Sequence, residues 1–586
     1  MNISNFIEIN AEKFVTKPAI GFKKYDEWKD ISWQMFRRTI YKTANALKKL
    51  GIKENDRVAI YADNSAEWII MDLATMAIGA ITVPIYATNN KEQTLYCIKD
   101  SEAKAVMVGN QEQYDACAEI MQECETLEHI IAAKKSTVLR AKNSCHFETI
   151  IVKSPEDLEI VPKEEDDIAT IIYTSGTSGT PKGVMITHGN FANAFEAHFE
   201  FFKFKNFTEE TSLAFLPLSH IFERSWTLLC LYGGAKVVFL ENTKLIAHTL
   251  EKVKPTMMCA VPRFYQKIYC AIQENLEKSN NTTKKRLFYW ALKQGEIYAE
   301  LKRQGKSIPL GLRFRNGIAN ALVFKKIKKK LGGNLWFMPC GGASISPEII
   351  KFFDTIGVHI TVGYGLTETT ATLTCFPNTH YEYGTAGVPI GSTQIKIGEN
   401  NEILVKGKSV MKGYYKMPEE NEKVFTRDGW FKTGDAGIFK NNTLTITDRI
   451  KDLMKTSNGK YIIPQSIENL LTNSNLIQQV MVVAEGKPYV TALIVPNFEV
   501  LEKKLNALGV KLTSWKETLK NEKIYQLYQD VITELLNPLS GYEKIKKFVL
   551  LPKDFEIHLG EITPTLKIRR QVVMSKYANE IESLYF

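Results

Sequence analysis

Short apolar runs alternate with helical patterns along the first part of this chain, and that alternation narrows its fold more than any other feature. Residues 56–61 read as a strand, 65–78 as a helix, 80–84 as a strand, 89–100 as a helix and 105–108 as a strand. Strands separated by helices of roughly 10–15 residues close most simply as a parallel, doubly wound sheet. A helix from about 34 to 50, stopped by Gly51, precedes the set, and the pattern resumes with strands at 213–216, 236–240, 335–338 and 359–362. The apolar run 73–87 contains Gly79 and Pro84 and is short for a membrane span, so it reads as a buried helix followed by a buried strand.

Three regions depart from this rhythm. Residues 271–333 are helical and basic, with Ile318, Leu322, Ile327 and Leu331 expected along one face. Two readings stay open there: a solvated helical hairpin covering the sheet, or an amphipathic surface that meets anionic lipid. From about 387 to 448, short strands and turns predict a small β-rich subdomain. After Arg449 a fresh set of helices and strands predicts a separate C-terminal domain.

Tyr173 to Val184 reads Tyr-Thr-Ser-Gly-Thr-Ser-Gly-Thr-Pro-Lys-Gly-Val. A strand is expected before it, over 167–173, and residues 185–191 read as the lead-in to a helix. Gly176, Gly179 and Gly183 let the backbone fold tightly and aim N–H groups at one point. Thr174, Ser175, Thr177, Ser178 and Thr180 add hydroxyls, and Lys182 adds charge. The set suits a polyphosphate. It is not a Walker A loop, because Lys182 follows Pro181 and precedes Gly183. A plain Gly/Ser/Thr linker would lack the apolar strand and the Pro-Lys-Gly ending.

Five further stretches carry chemistry. Gly363-Tyr364-Gly365-Leu366-Thr367-Glu368 follows an expected strand, where open α/β sheets place ligands. Tyr364 offers a flat face for a purine, Thr367 a hydroxyl, and Glu368 a carboxylate suited to Mg²⁺. Asp435, in Thr433-Gly434-Asp435, can accept both hydroxyls of a ribose. Arg449, in Asp448-Arg449-Ile-Lys451-Asp452, can fork onto ribose or phosphate oxygens. A polar turn from Lys455 to Lys460 and the stretch Thr563-Pro-Thr-Leu-Lys567 complete the set. Singly, the last three read as solvated basic turns.

In this order and spacing the stretches closely resemble the adenylate-forming (ANL, AMP-binding) superfamily of acyl-CoA synthetases, luciferases and peptide-synthetase adenylation domains, over essentially the whole chain. The nearest branch is the long-chain fatty-acid–CoA ligases, which Leu216-Pro-Leu-Ser-His220-Ile-Phe-Glu-Arg224, Val261-Pro-Arg263, Cys340-Gly-Gly-Ala343 and Thr563-Pro-Thr-Leu-Lys567 resemble. Cys340 stands where Ser is commoner, and Pro564-Thr-Leu-Lys567 replaces a Gly-Lys ending, a change that long-chain members share.

The resemblance implies an α/β fold with a large N-terminal domain over 1–449, holding doubly wound sheets and the β subdomain. A smaller, mobile α+β lid over 450–586 would carry the adenylation lysine. It implies ATP, Mg²⁺ and coenzyme A, with a fatty acid activated as acyl-AMP and passed to coenzyme A. Delivery of the acyl-AMP to a carrier protein is the alternative. Residue by residue, it puts the 174–183 loop, with Gly179 and Lys182, on the phosphates, Tyr364 on adenine, and Thr367 on the α-phosphate or acyl oxygen. It puts Mg²⁺ on Glu368 and Thr174, and ribose on Asp435 and Arg449. Gly342, Ala343, Gly363 and Gly365 line the nucleotide. Lys451 is the hinge and Lys567 the bridge between carboxylate and α-phosphate. His220 falls either beside the acyl carboxylate or in a packed loop, and Trp226 is suggested as a gate to the acyl tunnel.

Charge and cysteines set the partners. The formal charge of +10, from 75 Lys and Arg against 65 Asp and Glu, suits anionic ligands or a membrane surface but is too small to argue for nucleic acid. Nine scattered cysteines, none in a Cys-x-x-Cys, suit reduced thiols in a cytosolic protein. No signal peptide is expected.

Overall fold

The computed structural model describes residues 2–24, 27–174, 181–449, 454–557, 559–563 and 568–586, with Glu277, Asp448 and Arg449 described by backbone alone. Its largest sheet has eight strands. From one edge they run Gly413–Tyr414, Lys182–Thr187, Ile168–Thr174, Ile81–Ile85, Arg57–Tyr61, Ala103–Val108, His129–Ala132 and Ser144–His146. All from Ile168–Thr174 onward pair in parallel, and Lys182–Thr187 pairs antiparallel with both of its neighbours.

The central strands are buried almost throughout, and side chains that alternate between faces build a core on each side of this sheet. Val58 and Ile60 point into one core with Trp33, Phe36 and Trp68. Ala59 and Tyr61 point into the other with Cys97, Ile98, Tyr114 and Cys117. The covering helices start where their caps dictate. Ser65 accepts the Trp68 N–H ahead of Ala66–Ala77, and Asn90 forms a capping box with Gln93 ahead of Lys91–Ser101.

A second layer comprises two four-stranded pieces. One orders Thr211–Ala214, Lys236–Phe239, Pro18–Lys24 and Glu27–Ser32; the other orders Phe337–Cys340, His359–Tyr364, Thr374–Cys375 and Val388–Pro389. Bridges from Met257 to Ser212 and Phe337, and from Ala260 to Cys340, join them. The expected β-rich region is an antiparallel sheet of Gln394–Ile397, Glu402–Lys406, Phe431–Lys440 and Thr443–Arg449. Past it, Ile477–Val483, Thr491–Pro496 and Lys547–Leu550 form a three-stranded sheet with its own two cores. Val480 and Val482 face one of them, Met481 and Val483 the other.

Two local expectations are corrected. Residues 185–187 do not lead into a helix. They finish the strand Lys182–Thr187, which folds back antiparallel on Ile168–Thr174, and the helix His188–Phe202 begins only after the Thr187–Asn190 capping box. Val184 and Ile186 are both buried, so the period is two until Thr187. The second correction lies at residues 310–330. Leu331 is buried and Ile327 partly buried, but Ile318 and Leu322 are 36% and 46% exposed. A π turn at Asn320–Phe324 adds one residue, so Phe324 follows Ala319 inward five positions on and carries the later residues round with it.

One buried ion pair ties the layers together. Arg224, on the helix Ile221–Tyr232, donates from Nε and Nη2 to the Asp72 carboxylate at 2.9 and 2.5 Å, and both side chains are wholly buried. Its Nη1 donates to Thr170 Oγ1 at 2.7 Å, and that hydroxyl donates to Thr82 O at 2.6 Å. The Trp68 and Phe191 rings lie 5.7 and 5.8 Å from the guanidinium carbon. Removing one partner of such a pair strands a buried charge. Arg224→Met is therefore expected to lower unfolding free energy in urea by about 3–5 kcal/mol, and adding Asp72→Leu to recover most of it.

Candidate active site

The hairpin between Ile168–Thr174 and Lys182–Thr187 sets the base of the predicted phosphate loop, with Thr174 and Lys182 as cross-strand partners. Ser175, Gly176, Thr177, Ser178, Gly179 and Thr180 lie outside the described residues, as do Lys451 and Lys567. Both flanks are clamped to the helix Lys91–Ser101. Tyr96 Oη donates to Pro181 O at 3.0 Å, and Tyr173 Oη donates to Asp100 Oδ2 at 2.5 Å. The two rings meet edge to face at 5.9 Å.

Lys182 reaches two groups that the sequence did not mark. Its Nζ is 2.5 Å from Glu420 Oε2 and 5.0 Å from the centre of the Tyr414 ring. Hydrogen bonds from Lys182 and then Lys423 push the Glu420 carboxyl down to about 2. Tyr414 Oη donates to Glu368 Oε1 at 2.8 Å. Burial first, and then the Glu368 charge, raise the Tyr414 phenol far above its usual range, so it stays a donor. Tyr414 thus has the loop lysine over its ring and the Glu368 carboxylate at its tip. It arrives there because Gly413–Tyr414 pairs with Lys182–Thr187. Neither Gly413-Tyr414 nor Glu420 carries a local sequence signal.

The turn that carries Thr367 and Glu368 is sterically fixed. A Cβ on Gly365 would lie 2.0 Å from Ala371 O, so only glycine fits. Thr370 and Ala371 take positive φ values of 51° and 75° to bring the chain back. Glu368 O accepts from Met411 N at 2.8 Å. Among the described residues no three His, Cys, Asp or Glu side chains converge as a metal site. Glu368, oriented by Tyr414, with Thr174 at the end of its strand, fits Mg²⁺, which takes one or two carboxylates and fills its remaining positions with water and substrate oxygens.

Tyr364 Oη donates to Asp435 Oδ2 at 2.7 Å, and both side chains are buried. Asp435 follows Gly434 at φ +73°, and Thr433 Oγ1 anchors the bend by donating to Ile403 O at 2.8 Å. Strand register sets Arg449 opposite Asp435, so two residues expected on one ribose share one rung.

His220 caps the helix Ile221–Tyr232. Its Nδ1 accepts the Phe222 N–H at 3.1 Å, which leaves Nε2 to carry the proton of the neutral ring. The turn before it is locked: Leu216 N donates to Glu223 Oε2, and Asn64 bonds both Leu216 O and Leu218 N. A Cβ on Gly341 would lie 3.5 Å from both Gly363 O and Phe222 Cζ, and one on Gly342, at φ +85°, would lie 3.9 Å from Val261 Cγ1. The stretches holding His220, Val261, Gly342 and Gly363 therefore meet, with Gly342 and Ala343 exposed between them. Cys340 is buried, and burial raises its thiol well above the usual range. Trp226 is buried too, donating from Nε1 to Ser212 Oγ at 2.9 Å and stacking on Phe337 with centroids 6.0 Å apart.

Comparison with known proteins gives a consistent result. The family described as AMP-binding enzyme matches residues 7–415, and the AMP-binding enzyme C-terminal domain matches 451–586. A Mycobacterium bovis protein named long-chain-fatty-acid–CoA ligase FadD15 is 32% identical, over 95% of this chain and 92% of its own length. The Homo sapiens long-chain-fatty-acid–CoA ligase 1 is 30% identical, over 97% of this chain and 84% of its own. In fold, the chain is similar to the adenylation domain of a carboxylate reductase from Mycobacterium chelonae, with a TM-score of 0.81 at 20% identity, covering 100% of this chain and 91% of that one.

Glu223 supplies a pH test of the locked turn. Burial pushes its carboxyl up to about 8, the bonds from Leu216 and other donors only partly opposing it. A carboxyl raised on folding adds stability that is full below its unfolded value near 4.5 and is lost as pH rises through 8. Urea unfolding of the native protein is expected to weaken between about pH 5 and 8 from this group, and Glu223→Gln to flatten that slope.

Proposed function

We infer the reaction from one premise: the chain belongs to the AMP-binding enzyme family. It is a long-chain-fatty-acid–CoA ligase, as relatives aligning along nearly the whole chain support. A fatty-acid carboxylate oxygen attacks the α-phosphorus of ATP, and the bond to pyrophosphate breaks. The thiol sulfur of coenzyme A then attacks the acyl carbon, AMP leaves, and the thiol proton is lost. The observation that carries the site reading is Tyr414, which sets Lys182 and Glu368 at two ends of one side chain.

The residue roles are our proposal. The 174–183 loop holds the β and γ phosphates. Lys182, resting on the half-buried Glu420, exchanges that carboxylate for phosphate. Tyr364 borders adenine, and Asp435 with Arg449 takes the ribose. Thr367, Gly342, Ala343, Gly363 and Gly365 border the α-phosphate and the nucleotide. A neutral His220 offers Nε2–H to the acyl carboxylate. Glu368 and Thr174 would hold Mg²⁺, which when bound offsets phosphate charge. Lys567 meets the negative charge that develops at the α-phosphate, and aimed charge of this kind is among the largest contributions to rate.

We place the domain boundary at 449/450, with Lys451 as hinge of a lid. Support comes from the seam where the helix Pro262–Glu277 and the loop at Ser344 meet residues 469–478. Arg263 donates to Gln478 O, Gln266 to Thr472 O, and Asn469 Nδ2 to Ser344 Oγ at 2.5 Å. Such a polar seam suits surfaces that separate. A cytoplasmic setting fits the nine free cysteines.

Mixing ATP, Mg²⁺ and a long-chain fatty acid is expected to release pyrophosphate, with thioester appearing only when coenzyme A is added; thioester on a carrier protein alone would overturn the acceptor. Lys567→Ala should cut acyl-AMP formation by about 10²–10³ while sparing thioester formation from supplied acyl-AMP. Equal loss of both half-reactions would remove that role. Asp435→Asn should raise KM for ATP about tenfold with little change in kcat, as loss of uniform binding does.

A further inference from the structure

Residues 310–330 form one continuous helical rod, Leu310–Ala319 passing through the π turn into Lys325–Lys330, about 31 Å long at 1.5 Å per residue. Its inner side is firmly seated. Leu312, Ala319 and Phe324 are buried. A Cβ on Gly295 of the neighbouring helix Thr282–Arg303 would lie 2.4 Å from Thr355 O and 2.9 Å from Phe324 Cζ, so the packing is at closest approach.

The outer side is unlike a solvated face. Leu310 is 81% exposed, Phe314 71%, Leu322 46% and Ile318 36%. A spacing of four sets them in one stripe. Exposed Arg313 and Arg315 flank Phe314, and exposed Lys325, Lys326, Lys329 and Lys330 follow the stripe. From residue 301 to 347 the sequence contains no Asp or Glu.

We propose that this stripe docks the enzyme on an anionic lipid bilayer, the apolar side chains entering the acyl boundary and the lysines and arginines resting on the headgroups. Apolar residues on one face with cations around them are what such a surface requires. A second copy of this face would bring cations against cations, and a nucleic acid would leave the four apolar side chains uncovered. No helix among the described residues is long and apolar enough to cross a membrane, so the rod lies on the surface. The proposal deepens the ligase reading, since a long-chain fatty acid partitions into the same bilayer, and its test is separable from that reading.

The 586-residue chain is floated with vesicles of phosphatidylcholine alone or of phosphatidylcholine mixed with phosphatidylglycerol. Binding is expected only to the anionic vesicles, with release as salt rises. Leu310→Ser with Phe314→Ser should weaken it about tenfold or more, and Lys325→Glu with Lys326→Glu at least about tenfold. Both variants should keep wild-type circular dichroism and wild-type pyrophosphate release when the fatty acid is delivered from cyclodextrin. Equal binding to both vesicle types, no binding, or full binding by either variant overturns the proposal. So does a dimer that the serine variant dissolves, or capture of polyglutamate without vesicles. Failure of pyrophosphate release in the wild type would count against the ligase reading alone.

Discussion

A guanidinium and a carboxylate sealed from water, Arg224 on Asp72, hold the two halves of the active site in one frame. Arg224 lies four residues after His220, and Thr170, which it also grips, lies four residues before Thr174. The histidine turn and the base of the phosphate hairpin are thus indexed to a common charge. Apolar packing alone would let these layers slide. A bidentate pair with a third bond to a strand hydroxyl sets distance and angle together. Removing either partner there leaves a buried charge with nowhere to go, so the arrangement is close to all-or-none.

A second constraint acts at the nucleotide end. Cations gathered to meet polyphosphate repel one another and destabilise the empty site, and this chain manages that locally. Lys182 rests on Glu420 and over the Tyr414 ring, while Glu368 is steadied by the same tyrosine. Tyr364 does the equivalent for Asp435. Both tyrosines are buried donors, so each carboxylate is aimed before any ligand arrives. Little reorganisation is then left for the moment of reaction.

Much of this was legible in the sequence where the signal is local. The unbroken apolar run Val58–Tyr61, buried on both faces, and the caps at Ser65 and Asn90 announce strand and helix within a few residues. The glycine-bearing turn at 363–368 announces itself in the same way, whereas Gly434 and Asp435, whose glycine suggests a turn, lie inside the strand Phe431–Lys440 with Gly434 at φ +73°. The unread features depend on neighbours far along the chain. Tyr414 meets Glu368 across 46 residues and Glu420 meets Lys182 across 238, and no periodicity encodes either meeting. The strand after Pro181 hides from a local reading because it gives way to a capping box at Thr187 without a break. The helical face at 318–331 departs from the expected one because a π turn is silent in a 3.6-residue pattern.

That π turn makes chain length, rather than composition, the determinant of which side of the rod meets solvent. Remove one residue between Asn320 and Phe324 and the lysine-rich end turns by about 100° against the apolar stripe. The amino-acid content would hardly change, yet greasy and cationic surfaces would point in different directions. A single insertion here would therefore leave the reacting residues in place and change which side chains the rod turns outward.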